Sequence, residues 1–132
     1  MISKLSASLP TRVTESAKTG VFNYMVLTTG LGSVYGAYVT CLTTVNTTQA
    51  IAIQLSTPSQ SGGDYNITVA IGLAGAEVEV FEYYFRAATT GQDSNYEKTL
   101  PIRIAAGTRI ALKAMCGDAT QTVRATVTAA ED

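Results

Sequence analysis

Glu77 and Glu79 stand two residues apart in the stretch EVEVFEYYFR (77–86), a spacing that puts both carboxylates on one face of an extended strand. Paired carboxylates are the equipment of glycoside hydrolysis, in which one protonates the leaving oxygen and the other attacks or activates water. The same spacing suits the solvated face of an ordinary sheet, and the flanking sequence offers no surroundings that would raise one carboxyl into the general-acid range. The chain has no histidine, so Ser-His and Cys-His nucleophiles cannot be assembled from it. Its two cysteines, Cys41 and Cys116, supply no zinc site of known spacing. Both lie in strand-like runs, where cysteine usually serves as a small buried hydrophobe, and a disulfide between them is the lesser alternative for a chain made in a cytoplasm. Asp64, Asp93 and Asp118 fit no EF-hand loop. Neither GLG (30–32) nor GLAG (72–75) has the spacing of a phosphate-binding loop. Tyr83, Tyr84 and Tyr96 offer a platform on which a sugar could stack, though tyrosines are also common at sheet edges and subunit interfaces. No catalytic residue, metal or cofactor is expected.

Composition bounds the partners. Over 132 residues, 46% are hydrophobic and 14% charged, with a net charge of -1. That excludes a disordered chain and leaves no basic footprint for nucleic acid. The longest apolar run, Val69 to Ala76, is far below the roughly 18 residues needed to span a bilayer. The N-terminal stretch has no apolar core of the secretory type, so synthesis in a cytoplasm without export is expected.

The elements that would carry these residues read as strands. Residues 1–20, rich in Ser, Thr and Lys, are expected to form an extended arm that either frays or touches a neighbour; residues 21–132 are expected to form one domain. Phe22, Tyr24 and Val26 alternate with Asn23 and Met25, and Val34 to Val45 reads as one long strand covered on both faces. Ile51, Ile53 and Leu55, then Tyr65, Ile67, Val69 and Ile71, form inward faces on either side of a loop at 57–64. In EVEVFEYYFR, Val78 and Val80 share one parity while Phe81, Tyr83 and Phe85 take the other. Either a bulge near Phe81 shifts the register, or the two faces pack against different things. A loop at 88–99 precedes an expected hairpin in LPIRIAAGTRIALKAM (100–115), with Leu100, Ile102 and Ile104 inward, a turn at Ala105 to Gly107, and Ile110, Leu112, Ala114 and Cys116 inward again. Val123, Ala125 and Val127 close the series. About eight strands at this spacing point to an all-β, antiparallel, jelly-roll-like β-sandwich with an extended N-terminal arm.

The segments IGLAGAEVEV, LPIRIAAGTRIALKAM and TVRATVTA, within residues 67–128, resemble small virion structural proteins of tailed bacteriophages that carry a P-I-x-I-x-A-G-T-R-I/L-A signature. The matching positions are Pro101, Ile102, Ile104, Ala106, Gly107, Thr108, Arg109, Ile110 and Ala111. The chain departs from the pattern at Ala105, where proline is frequent, and at Phe22 or Tyr24, where tryptophan is. The resemblance implies a jelly-roll subunit of the virion. It would be a capsid decoration (cement) protein bound to the major capsid protein and self-associating, as such subunits often do as trimers at a symmetry axis of the shell, or else a collar, neck or tail component or a receptor- or glycan-binding module. Leu5, Leu9 and Arg12 on the arm, with Phe81, Tyr83, Tyr84, Arg86 and Tyr96, are the expected partner contacts. No nucleic acid or membrane partner is expected.

Overall fold

The computed structural model describes residues 12–15, 24–57, 63–87, 94–117 and 120–132. Within them the chain forms nine strands and no helix: β1 (Arg12–Glu15), β2 (Met25–Thr28), β3 (Val39–Thr43), β4 (Thr48–Thr57), β5 (Gly63–Ile71), β6 (Val78–Ala87), β7 (Ser94–Leu100), β8 (Arg109–Cys116) and β9 (Thr122–Glu131). The expected eight-strand sandwich is present, and β1, within the expected arm, adds a ninth strand. One sheet has β9 between β4 and the pair β1 and β2, which lie end to end along its other edge; β7 closes the far side of β4. The other sheet has the order β3-β8-β5-β6. All pairings are antiparallel.

The inner faces follow the two-residue period of the pleat. Ile51, Ile53 and Leu55 from β4, with Val123, Ala125, Val127 and Ala129 from β9, meet Tyr65, Ile67 and Val69 from β5 and Ile110, Leu112 and Ala114 from β8. These are the alternations legible in the sequence. In β2, where the sequence showed an alternation without deciding its inward face, Met25 and Leu27 are buried while Tyr24 and Val26 lie partly outside. The long strand expected from Val34 to Val45 is confined to Val39–Thr43. A register shift between Thr40 and Leu42 lets consecutive Cys41 and Leu42 both be buried.

The stretch at 100–115 is not a hairpin. Leu100 ends β7 in one sheet and Arg109 begins β8 in the other, so residues 101–108 carry the chain across the end of the sandwich. Ile104 is buried and exchanges two backbone hydrogen bonds with Thr48, Thr48 N–H to Ile104 O at 2.7 Å and Ile104 N–H to Thr48 O at 3.1 Å. Gly107, at φ 75°, turns the chain while its N–H bonds to Thr44 O at 2.8 Å. A left-handed φ favours glycine, which has no Cβ to clash. The second half of the expected loop at 88–99 is β7, whose polar edge sequence hid its strand character.

Gly36 answers a different constraint. A Cβ there would lie 1.7 Å from the Thr28 carbonyl oxygen, so the segment before β3 can pass the end of β2 only without a side chain. Gly36→Ala is therefore expected to destabilise the fold by about 3 kcal/mol, the upper range for overpacking, which chemical denaturation would read as a lower midpoint.

Candidate functional site

β6 and β7 are the outer strands of their respective sheets and lie on the same side of the sandwich, where their inward side chains close the seam. The register explains the double parity of EVEVFEYYFR: Val69 pairs with Phe81 and Ala70 with Glu79, leaving Val80 as the extra residue of a bulge. This is the shift expected near Phe81. Beyond it Phe81, Tyr83 and Phe85 turn inward, and Glu82, Tyr84 and Arg86 turn outward. The Phe85 ring stacks on Tyr65 with centroids 5.1 Å apart and planes at 6°. Tyr96 from β7 brings its ring 4.4 Å from Phe85 and donates its hydroxyl to the Arg86 carbonyl. Tyr83 lies 5.9 Å from Phe85, and the Lys98 ammonium sits 5.6 Å from the Phe81 ring.

The expected contact residues therefore divide. Phe81, Tyr83 and Tyr96 are half-buried in the seam, whereas Tyr84, 57% exposed, and Arg86 stand outside. The three tyrosines do not make one platform. Arg86 grips Asp64 through Nε at 2.7 Å and Nη2 at 3.3 Å, and Tyr84 donates its hydroxyl to the same carboxylate at 3.1 Å. Hydrogen bonds from Arg86 and then Tyr84 hold the Asp64 carboxyl below its ordinary value. Leu5 and Leu9 lie outside the described residues; Arg12 heads β1, opposite Glu131 in the ladder.

Glu77 and Glu79 do not act as a pair. Glu77 accepts from Arg109 Nη1 at 3.1 Å and from the Gly75 N–H at 2.8 Å, while Glu79 meets the Lys113 ammonium at 3.2 Å. Arg109 also donates to Thr40 Oγ1 at 2.8 Å and to the Gly72 carbonyl at 3.2 Å. This side chain, 15% exposed, pins the 72–77 turn to β3 and β8. A hydrogen bond from its own N–H and the one from Arg109 hold the Glu77 carboxyl below its ordinary value. A general acid needs a raised one.

Two arrangements were not legible in the sequence. On the outer face of the β3-β8-β5-β6 sheet, Lys113 lies 4.5 Å from the Tyr35 ring and 4.7 Å from the Tyr38 ring, and Tyr35 donates its hydroxyl to Glu82 at 2.6 Å. Burial and the Glu82 bond raise the Tyr35 hydroxyl. The segment before β3 is thus strapped across the sheet. On the outer face of the other sheet, Tyr24, Gln54, Leu55, Ser56, Glu97, Arg124 and Thr126 line a groove of about 350 Å3. At each end of the sandwich large apolar side chains stand in solvent: Leu31 (79% exposed) and Val34 beside the end of β8, and Val45, Leu73 (77% exposed) and Val78 beside its start.

No family model and no curated protein matches the chain. Among solved structures it is similar to the Eiger TNF from S. frugiperda, at 8% identity and a TM-score of 0.56 over 93% of this chain and 94% of that one. It is also matched, at a TM-score of 0.45 and 13% identity, to a carbohydrate-binding module of Cellvibrio mixtus lichenase 5A over 89% of this chain and 97% of that one. A third match is to the infectious bursal disease virus Gt strain, at 0.44 and 14% identity over 89% of this chain and 32% of that one. At 8% identity the likeness to the first of these is one of fold alone.

Two measurements follow from the titrating groups. The Glu77 carboxyl is lower in the folded chain than its ordinary 4.5, so the stability it contributes is present above that value and lost as pH falls through the folded one. Glu77→Gln cannot titrate, and its denaturation midpoint should fall less between about pH 7 and about pH 3 than that of the unaltered chain. Cys41 and Cys116 are buried free thiols, and burial pushes the Cys41 thiol up to about 12. A disulfide-exchange reagent should find no reactive thiol in the folded protein and two after denaturation.

Proposed function

We propose that the protein is a structural subunit of a tailed-bacteriophage virion, specifically a capsid decoration protein that stabilises the shell through protein contacts. The observation that carries this reading is the pair of exposed apolar ends. Leu31 and Val34 at one end, and Val45, Leu73 and Val78 at the other, stand in water on a chain whose core is otherwise well covered. The ends are held firmly: Arg109 and Glu77 fix the turn that carries Leu73, and Ser33 N–H bonds to Cys116 O at 3.1 Å beside Val34. Apolar side chains exposed at both ends of the sandwich suit a subunit with neighbours at both ends, where small contacts add through effective concentration.

The jelly-roll architecture, one that viral capsid domains also use, and the resemblance of 67–128 to phage virion proteins support the same reading. In it the major capsid protein is the principal partner, the subunit self-associates as a trimer, and Tyr84 and Arg86 add contacts outside the seam. It turns over no substrate, works without a cofactor, and resides in the virion after synthesis in the host cytoplasm.

Purified particles test this. Several hundred copies in a ratio set by shell geometry are expected, whereas about a dozen would place the subunit on the collar, neck or tail. Leu73→Ser with Val78→Ser should leave the isolated subunit folded, weaken its retention on particles by about tenfold or more, and lower the particles' resistance to heat or low salt. Particles that keep the doubly substituted subunit and behave identically would sink the contact assignment.

A further inference from the structure

The groove on the outer face of the β1/β2-β9-β4-β7 sheet belongs to none of the contacts above. Its residues are set in rows by the ladder: Glu97 pairs with Gln54, and Gln54 with Thr126; Ser56 pairs with Arg124, and Arg124 with Val26 of β2. Tyr24 precedes β2 on the same outward parity as Val26 and lies along the groove wall. Tyr24 thus stands at one end, with the Arg124 guanidinium 5.1 Å from its ring, and Glu97 stands at the other, with Gln54 Nε2 donating to its Oε1 at 3.0 Å. Between them the floor carries the Gln54 amide and the hydroxyls of Ser56 and Thr126.

The chemistry of the lining narrows the ligand. Among the described residues one guanidinium is matched by one carboxylate, which leaves no surplus positive charge there for a phosphate or a polyanion. A single carboxylate is too little for a metal ion, and hydroxyls and an amide beside an aromatic ring suit a guest that has both polar and apolar faces. What remains is a neutral molecule rich in hydroxyls, each of which both donates and accepts and so can pair with a carboxylate, a guanidinium or an amide. A volume of about 350 Å3 is at the low end for small-molecule sites and holds about one or two sugar rings. The apolar body of the tyrosine offers a surface for the C–H face of such a ring.

We propose that this groove binds a neutral saccharide unit of a glycan, with Tyr24 as the stacking wall, Glu97 and Gln54 as the hydroxyl-binding end, and Arg124 as both donor and support for the Tyr24 ring. The site is separate from Tyr83, Tyr84 and Tyr96, and it does not depend on the virion reading.

Saturation-transfer NMR on the full chain tests it, with glucose, galactose, mannose, N-acetylglucosamine and rhamnose as probes, each as the free sugar and as a disaccharide, and glucuronate as the anionic comparison. At least one neutral probe should receive saturation. Glu97→Gln, nearly isosteric and exposed, should weaken its binding about tenfold or more, as expected for loss of a charged acceptor. Tyr24→Ala should abolish binding, and Tyr84→Ala should leave it unchanged. If Tyr24→Ala does not melt as a folded protein, Glu97→Gln decides alone. The proposal is overturned if no neutral probe is saturated, if Glu97→Gln binds as the unaltered chain does, if Tyr84→Ala removes the signal, or if only glucuronate binds and salt displaces it. All of these read the isolated protein, so they fail or succeed separately from the particle experiments.

Discussion

The dry layer between Ile51, Ile53, Leu55, Val123 and Val127 on one sheet and Tyr65, Ile67, Val69, Ile110 and Leu112 on the other sets the terms for the rest of the molecule. Burying both inner faces requires the two sheets to be held at a fixed separation while the chain passes repeatedly between them. The passages are where the sequence is least regular. Residues 101–108 cross at one end through the paired Thr48 and Ile104, and Thr44 there donates its hydroxyl to Ala105 O at 2.7 Å and accepts from Thr108 N–H at 3.0 Å. The C-terminal segment is tied in at that same end: the fully buried Glu131 carboxylate accepts from Val45 and Asn46 N–H at 3.2 and 2.9 Å.

A polar network of this kind does two jobs. It satisfies the backbone groups that a crossing chain exposes away from any ladder, and it fixes the turns that present Val45, Leu73 and Val78. Arg109 shows why the AGTR stretch is dense in specific residues. Gly107 sets the turn, Thr108 continues the bonds to Thr44, and the guanidinium bonds at once to Thr40, Gly72 and Glu77. The PIRIAAGTRIA stretch is thus, in physical terms, a device for moving the chain from one sheet to the other.

How much could be read from the residues varied with the source of the signal. Alternation identified the buried faces of β4, β5, β8 and β9 because in each the large aliphatic side chains share one parity and the other carries mostly polar or small residues. It left the inward face of β2 undecided, since Tyr24 and Val26 compete with Met25 and Leu27 as apolar faces and only the packing decides. It made a hairpin of 100–115 because periodicity reports which way a side chain points and carries no information about which sheet a strand joins. Among the candidate contacts, the bulge at Val80 was legible in the clash of parities, but the division of Phe81, Tyr83 and Tyr96 from Tyr84 and Arg86 depended on β7, itself hidden in a polar stretch. The groove left no local trace, since its residues come from three strands and the position before β2, and they meet only through the ladder.

The position of β9 carries a consequence for how the protein is made. β9 is the last strand in the sequence yet lies inside its sheet, between β4 and the pair β1 and β2. Until the ribosome has delivered Thr122–Glu131, the first strands have no edge to join and β4 lacks one of its two neighbours. Contacts this distant in sequence make for slow closure. The half-built sandwich would then expose Ile51, Ile53 and Leu55 beside an unpaired strand edge, a surface prone to aggregation when many copies are synthesised together. Yield in a heterologous host should therefore respond to translation rate and chaperone supply more than to the stability of the finished fold.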